Sequence, residues 1–411
     1  MQGILEGEIK AHMEKIPDHV REELQNSVDA LNENPLLVPN KRNGYSKKTV
    51  KTLTGPITLD IPRDRNGDYA PIIIPRHSRV LPEIERQILA MSARGSSTRD
   101  ISKTLRNIYG AEVDPTFISR VTDSVRPMVE ERKNLRLQTV YAVAYFDAMF
   151  LKIRDGVGVK NMAVHIAIGV DVQGRREVLG FWIAETEGAS FWASVFSELK
   201  TRGVEDIMIA VTDGLKGMTE AIEKFFPHTA HPTCIVHLRR HSTVVIPQKD
   251  LKEVMTELKT IYQATNAEEA RNALDTVAES PIGKRYPSVA RKWYSVWEKV
   301  VPFFQFDPEI RRLIYTTNQI EALHRAIRKL TKTSSLYPNV ESAEKQIFLA
   351  IVDFTTGWRQ PSRQWSAAVS RFDLFFGERC TRGCGNYTGP TSEDYSKLFK
   401  AFDKGRNDEA S

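Results

Sequence analysis

The chain has 411 residues, a formal net charge of +6 and an isoelectric point near 9.0. Its contents of apolar and charged residues, 41% and 27%, are those of a globular protein large enough for two or three domains. The basic balance is compatible with an anionic partner such as nucleic acid, and equally with a basic protein that binds none.

Two features of the sequence indicate a cytoplasmic protein. The three cysteines are too few, and odd in number, for a secreted disulfide scaffold. The chain shows no signal-peptide pattern at its start and no apolar run long enough to cross a bilayer, so we expect no membrane partner.

The N-terminal part is predicted to contain a helical segment, residues 1–35, and a DNA-binding region, residues 36–135. From Leu36 to Leu59 the chain carries basic residues and no acid. Asn43-Gly44 predicts a tight turn, and the alternation around Gly55-Pro56 predicts a β-hairpin. The basic residues that we expect to contact DNA here are Arg42, Lys47, Lys48 and Lys51.

Helical patterns follow between residues 80 and 133. Ser97 and Asp100 form a capping-box pattern, and Asp114-Pro115 is typical of a helix start. Three short helices resemble a helix-turn-helix, whose last helix would face the major groove, although a plain three-helix bundle has the same pattern. The outward-facing DNA-binding candidates of these helices are Arg99, Thr116, Ser119 and Arg120.

The pattern then changes to strands. Strands are predicted at residues 140–153, 162–172, 177–185 and 207–213, with helices at 189–202 and 218–226. This βββαβα order is that of the RNase H-like fold, in which the first and fourth strands are neighbours, and the assignment rests on fold analogy. The predicted fold class is therefore α+β or α/β, an RNase H-like core preceded by the helical DNA-binding region.

We expect the core to be divided along the chain. Its first part would span residues 138–240, a helical insertion 241–310, and its last part 311–377. A C-terminal tail, residues 378–411, would follow.

Three carboxylates come from separate predicted elements of this core. Asp147 lies within the apolar run Val140–Ile153, Asp213 ends a second apolar strand, and Glu321 opens a helix. Oxygen ligands suit Mg²⁺, and two such ions serve phosphoryl transfer. Each acid also has a structural explanation. Backbone donors at the end of its strand could satisfy Asp147, and Asp213-Gly214 could be an ordinary strand-to-turn junction. Asn318-x-x-Glu321 is itself a capping-box pattern.

Several motifs together resemble the Mutator-like transposases of bacterial insertion sequences, the IS256 family. The resemblance runs from about residue 40 to about residue 377. The longest motif is Arg311–Lys329, in which His324 stands where the family usually has asparagine. The other motifs are Ile61–Arg65, Ala93–Ile101, Phe146–Ala148, Glu177–Trp182, Glu187–Trp192, Val211–Leu215 and Cys234–His237.

The resemblance implies a function and assigns residues to it. Asp147, Asp213 and Glu321 would be the DDE ligands of two Mg²⁺ or Mn²⁺ ions, and Cys234 and His237 would be the Cys-x-x-His signature of the family. The substrates would be double-stranded DNA, both the terminal inverted repeats and the target, bound by a homodimer or larger homo-oligomer in the bacterial cytoplasm at the nucleoid. On the helix of Glu321, Arg325, Arg328 and Lys329 are further DNA-binding candidates.

Some alternatives remain open from the sequence. Cys234-x-x-His237 has half of a zinc-site spacing, to which Cys380 and Cys384 could add the other half. Trp293 and Trp297, spaced as on one helix face, either form core or stack on an unpaired base. A non-catalytic, degraded transposase-derived DNA-binding protein, and a hydrolase that uses a carboxylate pair on sugars, are the competing functions.

Overall fold

The computed structural model describes residues 1–13, 41–52, 55–71, 74, 82–109, 112–156, 158–315, 318–333, 336–356, 358 and 363–382. The chain divides into two compact units, one of Met1–Ser92 and Ser96–Ser124, the other of Ala93–Gly95 and Val125–Ser411. Both contain helices and a small sheet, so the prediction of a mixed α and β protein is confirmed. Among the described residues, no helix has the length and apolarity needed to cross a membrane.

The first unit begins with helix α1 (Gln2–Met13), which packs on a hairpin of β1 (Arg42–Thr52) and β2 (Gly55–Asp64). The predicted hairpin is confirmed, but the turn predicted at Asn43-Gly44 is wrong. Gly44 lies inside β1 at φ 64°, where the pairing with β2 shifts, so its left-handed backbone serves a bulge. The small core of this layer contains Leu5, Val50, Leu59, Ile61 and Ile74.

The described part of the first unit also contains the helices α2 (Pro82–Ala93), α3 (Thr98–Tyr109) and α4 (Pro115–Asp123). The predicted helix starts are confirmed. Asp100 N–H donates to Ser97 Oγ over 3.1 Å, and Thr116 N–H donates to the Asp114 carboxylate over 2.7 Å. Because Ile118 and Val121 are buried, α4 turns its polar face outward.

The second unit is built on a four-stranded sheet, entered through helix α5 (Arg126–Asn134). Its strands are β3 (Val140–Asp155), β4 (Gly158–Asp171), β5 (Arg176–Ala184) and β6 (Asp206–Thr212), in the spatial order β5-β4-β3-β6. Neighbours pair antiparallel except β3 and β6, which are parallel. Residues 140–147 of β3 are all buried, as expected of a strand covered on both faces.

Helices that follow the strands early and late in the sequence pack against this sheet. Helices α6 (Ala189–Thr201) and α7 (Met218–Phe225) contribute to a core in which Phe146 of β3 packs edge-on against Trp192 and Phe196. Because side chains alternate along a strand, Asp147 faces away from this core. It faces helix α15 (Asn318–Thr333), which packs on β3 and β4 together with α16 (Val340–Thr355), which packs on β3 and β5.

From Ile235 to Tyr315 the chain is helical, and this stretch includes residues 245–310, for which the sequence predicts mainly helix. Its helices are α8 (Ile235–Ser242), α9 (Gln248–Gln263), α10 (Ala267–Glu279), α11 (Pro281–Arg285), α12 (Pro287–Ser295), α13 (Trp297–Val300), a 3₁₀ helix (Val301–Gln305) and α14 (Pro308–Tyr315). Helices α17 (Arg363–Phe376) and α18 (Glu378–Arg382) end the described chain. In α18, Arg379 binds both carboxylate oxygens of Asp206 over 2.8 Å, which ties this helix to the start of β6.

Candidate metal centre

Asp147 and Asp213 meet at one edge of the sheet because their strands run side by side in the same direction. The parallel register of β3 and β6 pairs Phe146 with Thr212, and an aspartate follows each of these two residues in the sequence. Gly214 follows Asp213 with φ 67°, a left-handed conformation that lets the chain leave the sheet at once. The convergence expected from the strand order is thus observed.

Helix α8 adds a histidine to these two acids. The segment before the helix runs along β6, with bridges from Ala230 and Thr233, and Cys234 N–H donates to the Thr212 carbonyl over 3.2 Å. One turn later, His237 Nδ1 lies 3.4 Å from Asp213 Oδ1. Ligand atoms of Asp147, Asp213 and His237 all lie within 4.8 Å of one another.

Helix α15 reaches the cluster through a second histidine. His324, 2% exposed, has its Nδ1 3.1 Å from Asp147 Oδ2. Glu321 lies one turn earlier, but the cluster of described residues within 4.8 Å does not include it. Its Oε1 accepts a 2.6 Å hydrogen bond from Arg240 Nη2, at the last turn of α8.

The electrostatics of the two aspartates differ. Burial, reinforced by the charge of Asp147, raises the pKa of Asp213 to about 6 despite the opposing charges of His237 and Arg240. Burial also acts to raise the pKa of Asp147, but the hydrogen bond and charge of His324, with the charge of His237, lower it overall. Neighbouring protein groups therefore stabilise the negative charge of Asp147, whereas the negative charge of Asp213 is only partly stabilised and would be favoured by a bound cation.

This donor set fits a divalent cation. Two carboxylates and an imidazole are ordinary ligands for such an ion. The buried His237 Nδ1 also has no hydrogen-bond partner among the residues that the structure describes. An ion at this point would satisfy both the nitrogen and the excess negative charge.

Cys234 is a buried free cysteine at the start of α8. It occupies the N-cap position of α8, and burial raises the pKa of its thiol to about 12, which favours the neutral form. Cys380 is buried in α18 with its Sγ 3.8 Å from Met208 Sδ, and Cys384 lies outside the described residues. Because Cys384 is not among the described residues, the shared zinc site stays a prediction.

The DNA-binding candidates of the first unit have varied surroundings. Arg42 forms a 2.9 Å ion pair with Glu6, and Lys51 Nζ donates to the Glu112 carbonyl. Lys48 is half-buried, and Thr116 Oγ1 donates to its own helix cap. Exposed candidates include Arg99 on α3, Ser119 and Arg120 on α4, and Lys47 on β1, and Arg42 and Thr116 are exposed as well.

In the second unit, Arg325, Arg328 and Lys329 are exposed on α15, on the helix that carries Glu321. The expectation that Trp293 and Trp297 share a helix face is wrong, because α12 ends at Ser295 and Trp297 begins α13. Trp293 is 0% exposed, which favours its role in the core of the insertion. Trp297 is partly exposed, with the Arg271 guanidinium 5.5 Å from its ring centre.

Two residues that contact the candidate site, Arg240 and His324, are not among the site residues predicted from the sequence. A signal existed for each, because Arg240 follows His237 by one helical turn and His324 follows Glu321 by one. Side chains at this spacing share a helix face, so a helix that brings one residue to the site brings the other.

Known proteins resemble this chain over most of its length. A family model described as "Transposase, Mutator family" matches residues 1–361. The transposase for insertion sequence element ISRM3 of Rhizobium meliloti is 45% identical over 340 residues, which cover 83% of this chain and 85% of that protein. The transposase for IS256 in transposon Tn4001 of Staphylococcus aureus is 30% identical over 328 residues, 79% of this chain and 84% of that protein. The chain therefore belongs to the Mutator family of transposases.

Proposed function

We propose that this protein is a DDE transposase with an RNase H-like core, which cleaves DNA at the ends of an insertion sequence and joins the freed strand to a target. The observation that carries the proposal is the meeting of Asp147 and Asp213 at the ends of adjacent parallel strands, in a chain of the Mutator family. Glu321 would be the third acid, since His324 on the same helix already contacts Asp147.

The protein groups would divide the work as follows. Asp147, Asp213 and Glu321 would hold two Mg²⁺ or Mn²⁺ ions, with His237 beside Asp213 as a further ligand candidate. When bound, such ions supply Lewis acidity to the scissile phosphate and activate a water or a 3′-hydroxyl. His324 holds one oxygen of Asp147 in place. Few protein ligands are enough, because Mg²⁺ retains waters and binds substrate phosphates.

DNA recognition would lie outside this cluster. We propose that the first unit binds the terminal inverted repeats through the exposed polar face of α4 and the basic side of β1. Arg325, Arg328 and Lys329 would contact phosphates near the cleavage point. Binding should fall steeply with salt, since lysine and arginine contacts release counterions from DNA. A homodimer or larger assembly at the nucleoid would bring two ends together.

The test is Mg²⁺- or Mn²⁺-dependent nicking of DNA that carries the source element's ends. We expect Asp147→Asn, Asp213→Asn and Glu321→Gln each to abolish nicking and to retain DNA binding. Asp275→Asn is a matched control, because Asp275 lies in the insertion, paired with Tyr294 and Arg271.

The outcomes separate the competing functions. Equal nicking by wild type and Asp213→Asn would exclude the mechanism. Nicking that persists in EDTA would favour a metal-independent hydrolase. If the wild type and all variants bind the DNA specifically but none of them nicks it, the protein is a non-catalytic DNA-binding protein.

A further inference from the structure

We propose that Arg240 is a positioning residue that holds the Glu321 carboxylate in the DNA-free protein and releases it when a DNA phosphate binds the Arg240 guanidinium. The inference rests on the proposed function, because it takes Glu321 as the third metal-binding acid. It adds a step to that function: the centre would be completed only when substrate is present.

Arg240 binds Glu321 and is at the same time open to solvent. Arg240 Nη2 lies 2.6 Å from Glu321 Oε1, and the arginine side chain is 56% exposed, whereas that of Glu321 is 23% exposed. The guanidinium thus reaches inward from solvent to a carboxylate beside the cluster. His237, one turn earlier on the same helix, contacts Asp213, so α8 links the guanidinium to the cluster.

A carboxylate bound by arginine is a weaker ligand for a cation. One of its oxygens already accepts a charge-assisted hydrogen bond, and its charge is offset at short range. A guanidinium also matches phosphate geometry well, so a DNA backbone competes for it. The Arg240–Glu321 pair is solvent-accessible, and such pairs are weak enough to be exchanged.

The neighbouring arginine is held differently. Arg239 is half-buried, and its Nη1 donates a 2.7 Å hydrogen bond to the Tyr315 hydroxyl, which belongs to α14. Arg239 therefore fixes α8 against α14, whereas Arg240 binds the carboxylate of Glu321. The two residues carry the same charge one position apart, and this makes Arg239 a matched control.

The experiment is a double-mutant cycle on the DNA-free, full-length protein, read by Mn²⁺ binding in calorimetry. The variants are Arg240→Gln, Glu321→Gln and both together. We expect Arg240→Gln to tighten Mn²⁺ binding about fivefold more with Glu321 present than in the Glu321→Gln background, since an exposed ion pair competes on that scale. Loss of a nearby positive charge alone would act equally in both backgrounds, so the cycle removes that effect.

Two results would overturn the inference. Equal effects of Arg240→Gln in both backgrounds would mean that Arg240 acts through its charge alone. Weaker Mn²⁺ binding in Arg240→Gln would mean that the arginine holds Glu321 in the ligand position rather than away from it. Thermal melting of each variant reports whether it is folded, and Arg239→Gln should show no coupling to Glu321→Gln.

Salt dependence tests the phosphate step. Arg240→Gln should reduce the slope of log affinity for DNA against log salt concentration by about 0.9, the value for one lost phosphate contact. Arg239→Gln should leave it unchanged, and an unchanged slope in Arg240→Gln would exclude phosphate as the releasing group. Mn²⁺ binding that is unaffected by Asp213→Asn would instead count against the proposed function itself.

Discussion

At the scale of single residues, Asp147 and Asp213 show how neighbouring carboxylates acquire different properties. Asp147 is 8% exposed, yet its charged form is favoured because His324 donates to it. Within the described residues, no comparable donor reaches Asp213, and its burial beside Asp147 raises its pKa to about 6. The unfavourable free energy of holding two ionised carboxylates close together therefore appears mainly in the raised pKa of Asp213.

This difference predicts a pH-dependent stability. Because the folded pKa of Asp213 is above its unfolded value, ionised Asp213 destabilises the fold at pH values above both. The penalty develops as pH rises from about 4 to about 6 and is fully present at pH 7.5. We expect Asp213→Asn to stabilise the metal-free protein at pH 7.5 by on the order of 2 kcal/mol, and to have little effect at pH 4.

Thermal melting at the two pH values measures this effect. Mg²⁺ should raise the melting temperature of the wild type at pH 7.5 and should raise that of Asp213→Asn less, because binding stabilises only the state that holds the ion. Equal melting curves for both proteins at pH 7.5 without metal would contradict the prediction.

The residue scale also shows what the sequence could and could not predict. The strand pattern located Asp147 and Asp213, and the expectation that their strands are neighbours came from analogy with the RNase H-like fold. The contacts of Arg240 and His324 depend on helices that the insertion separates along the chain. Helical spacing places Arg240 beside His237 and His324 beside Glu321, but it does not encode which residue of another element each of them contacts.

At the scale of elements, most predictions succeeded where one local interaction dominates. The caps of α3 and α4 and the hairpin follow from short-range hydrogen bonds and alternation. The turn predicted at Asn43-Gly44 was wrong because this dipeptide occurs both in turns and in bulges, and the pairing with the neighbouring strand decides which of them forms. Trp293 and Trp297 misled because the helix breaks between them.

Helix α16 offers a test of one such local interaction. Asn339 caps it by accepting a 2.8 Å hydrogen bond from Ser342 N–H, and the helix buries Ile347 and Phe348. We expect Asn339→Ala to destabilise the second unit by about 1 kcal/mol, while Asn339→Ser, which keeps an acceptor, should cost less. Urea unfolding of the two variants compares them, and identical midpoints would show that the cap contributes nothing.

At the scale of the whole molecule, the two units each join segments that are distant in sequence. In the first, Gln2 of α1 exchanges hydrogen bonds with the backbone of Asp60 in β2, which a boundary drawn after residue 35 would separate. In the second, α18 from the predicted tail is bound to the sheet. Sequence patterns report elements well, but such long-range contacts follow from the folded chain as a whole.

The contact of α18 can be tested by substitution. Arg379 binds Asp206, and its guanidinium also donates to the carbonyls of His228 and Ile207. We expect Arg379→Gln to destabilise the second unit by about 2 kcal/mol, since charge-assisted hydrogen bonds are lost and Asp206 is left without this partner. Arg382→Gln, an exposed position in the same helix, should melt like the wild type. If both variants melt alike, α18 does not stabilise the sheet.

The contact between His324 and Asp147 has a consequence for how the protein is made. A ribosome adds roughly 5 to 20 residues per second, so on the order of ten seconds separate the synthesis of Asp213 from that of His324. During this interval the nascent chain already contains the whole first unit, including its exposed α4, but lacks the helix that completes the candidate centre. If the first unit binds DNA as proposed above, a newly made chain would engage DNA before its candidate centre is complete, so binding and cutting would be separated in time.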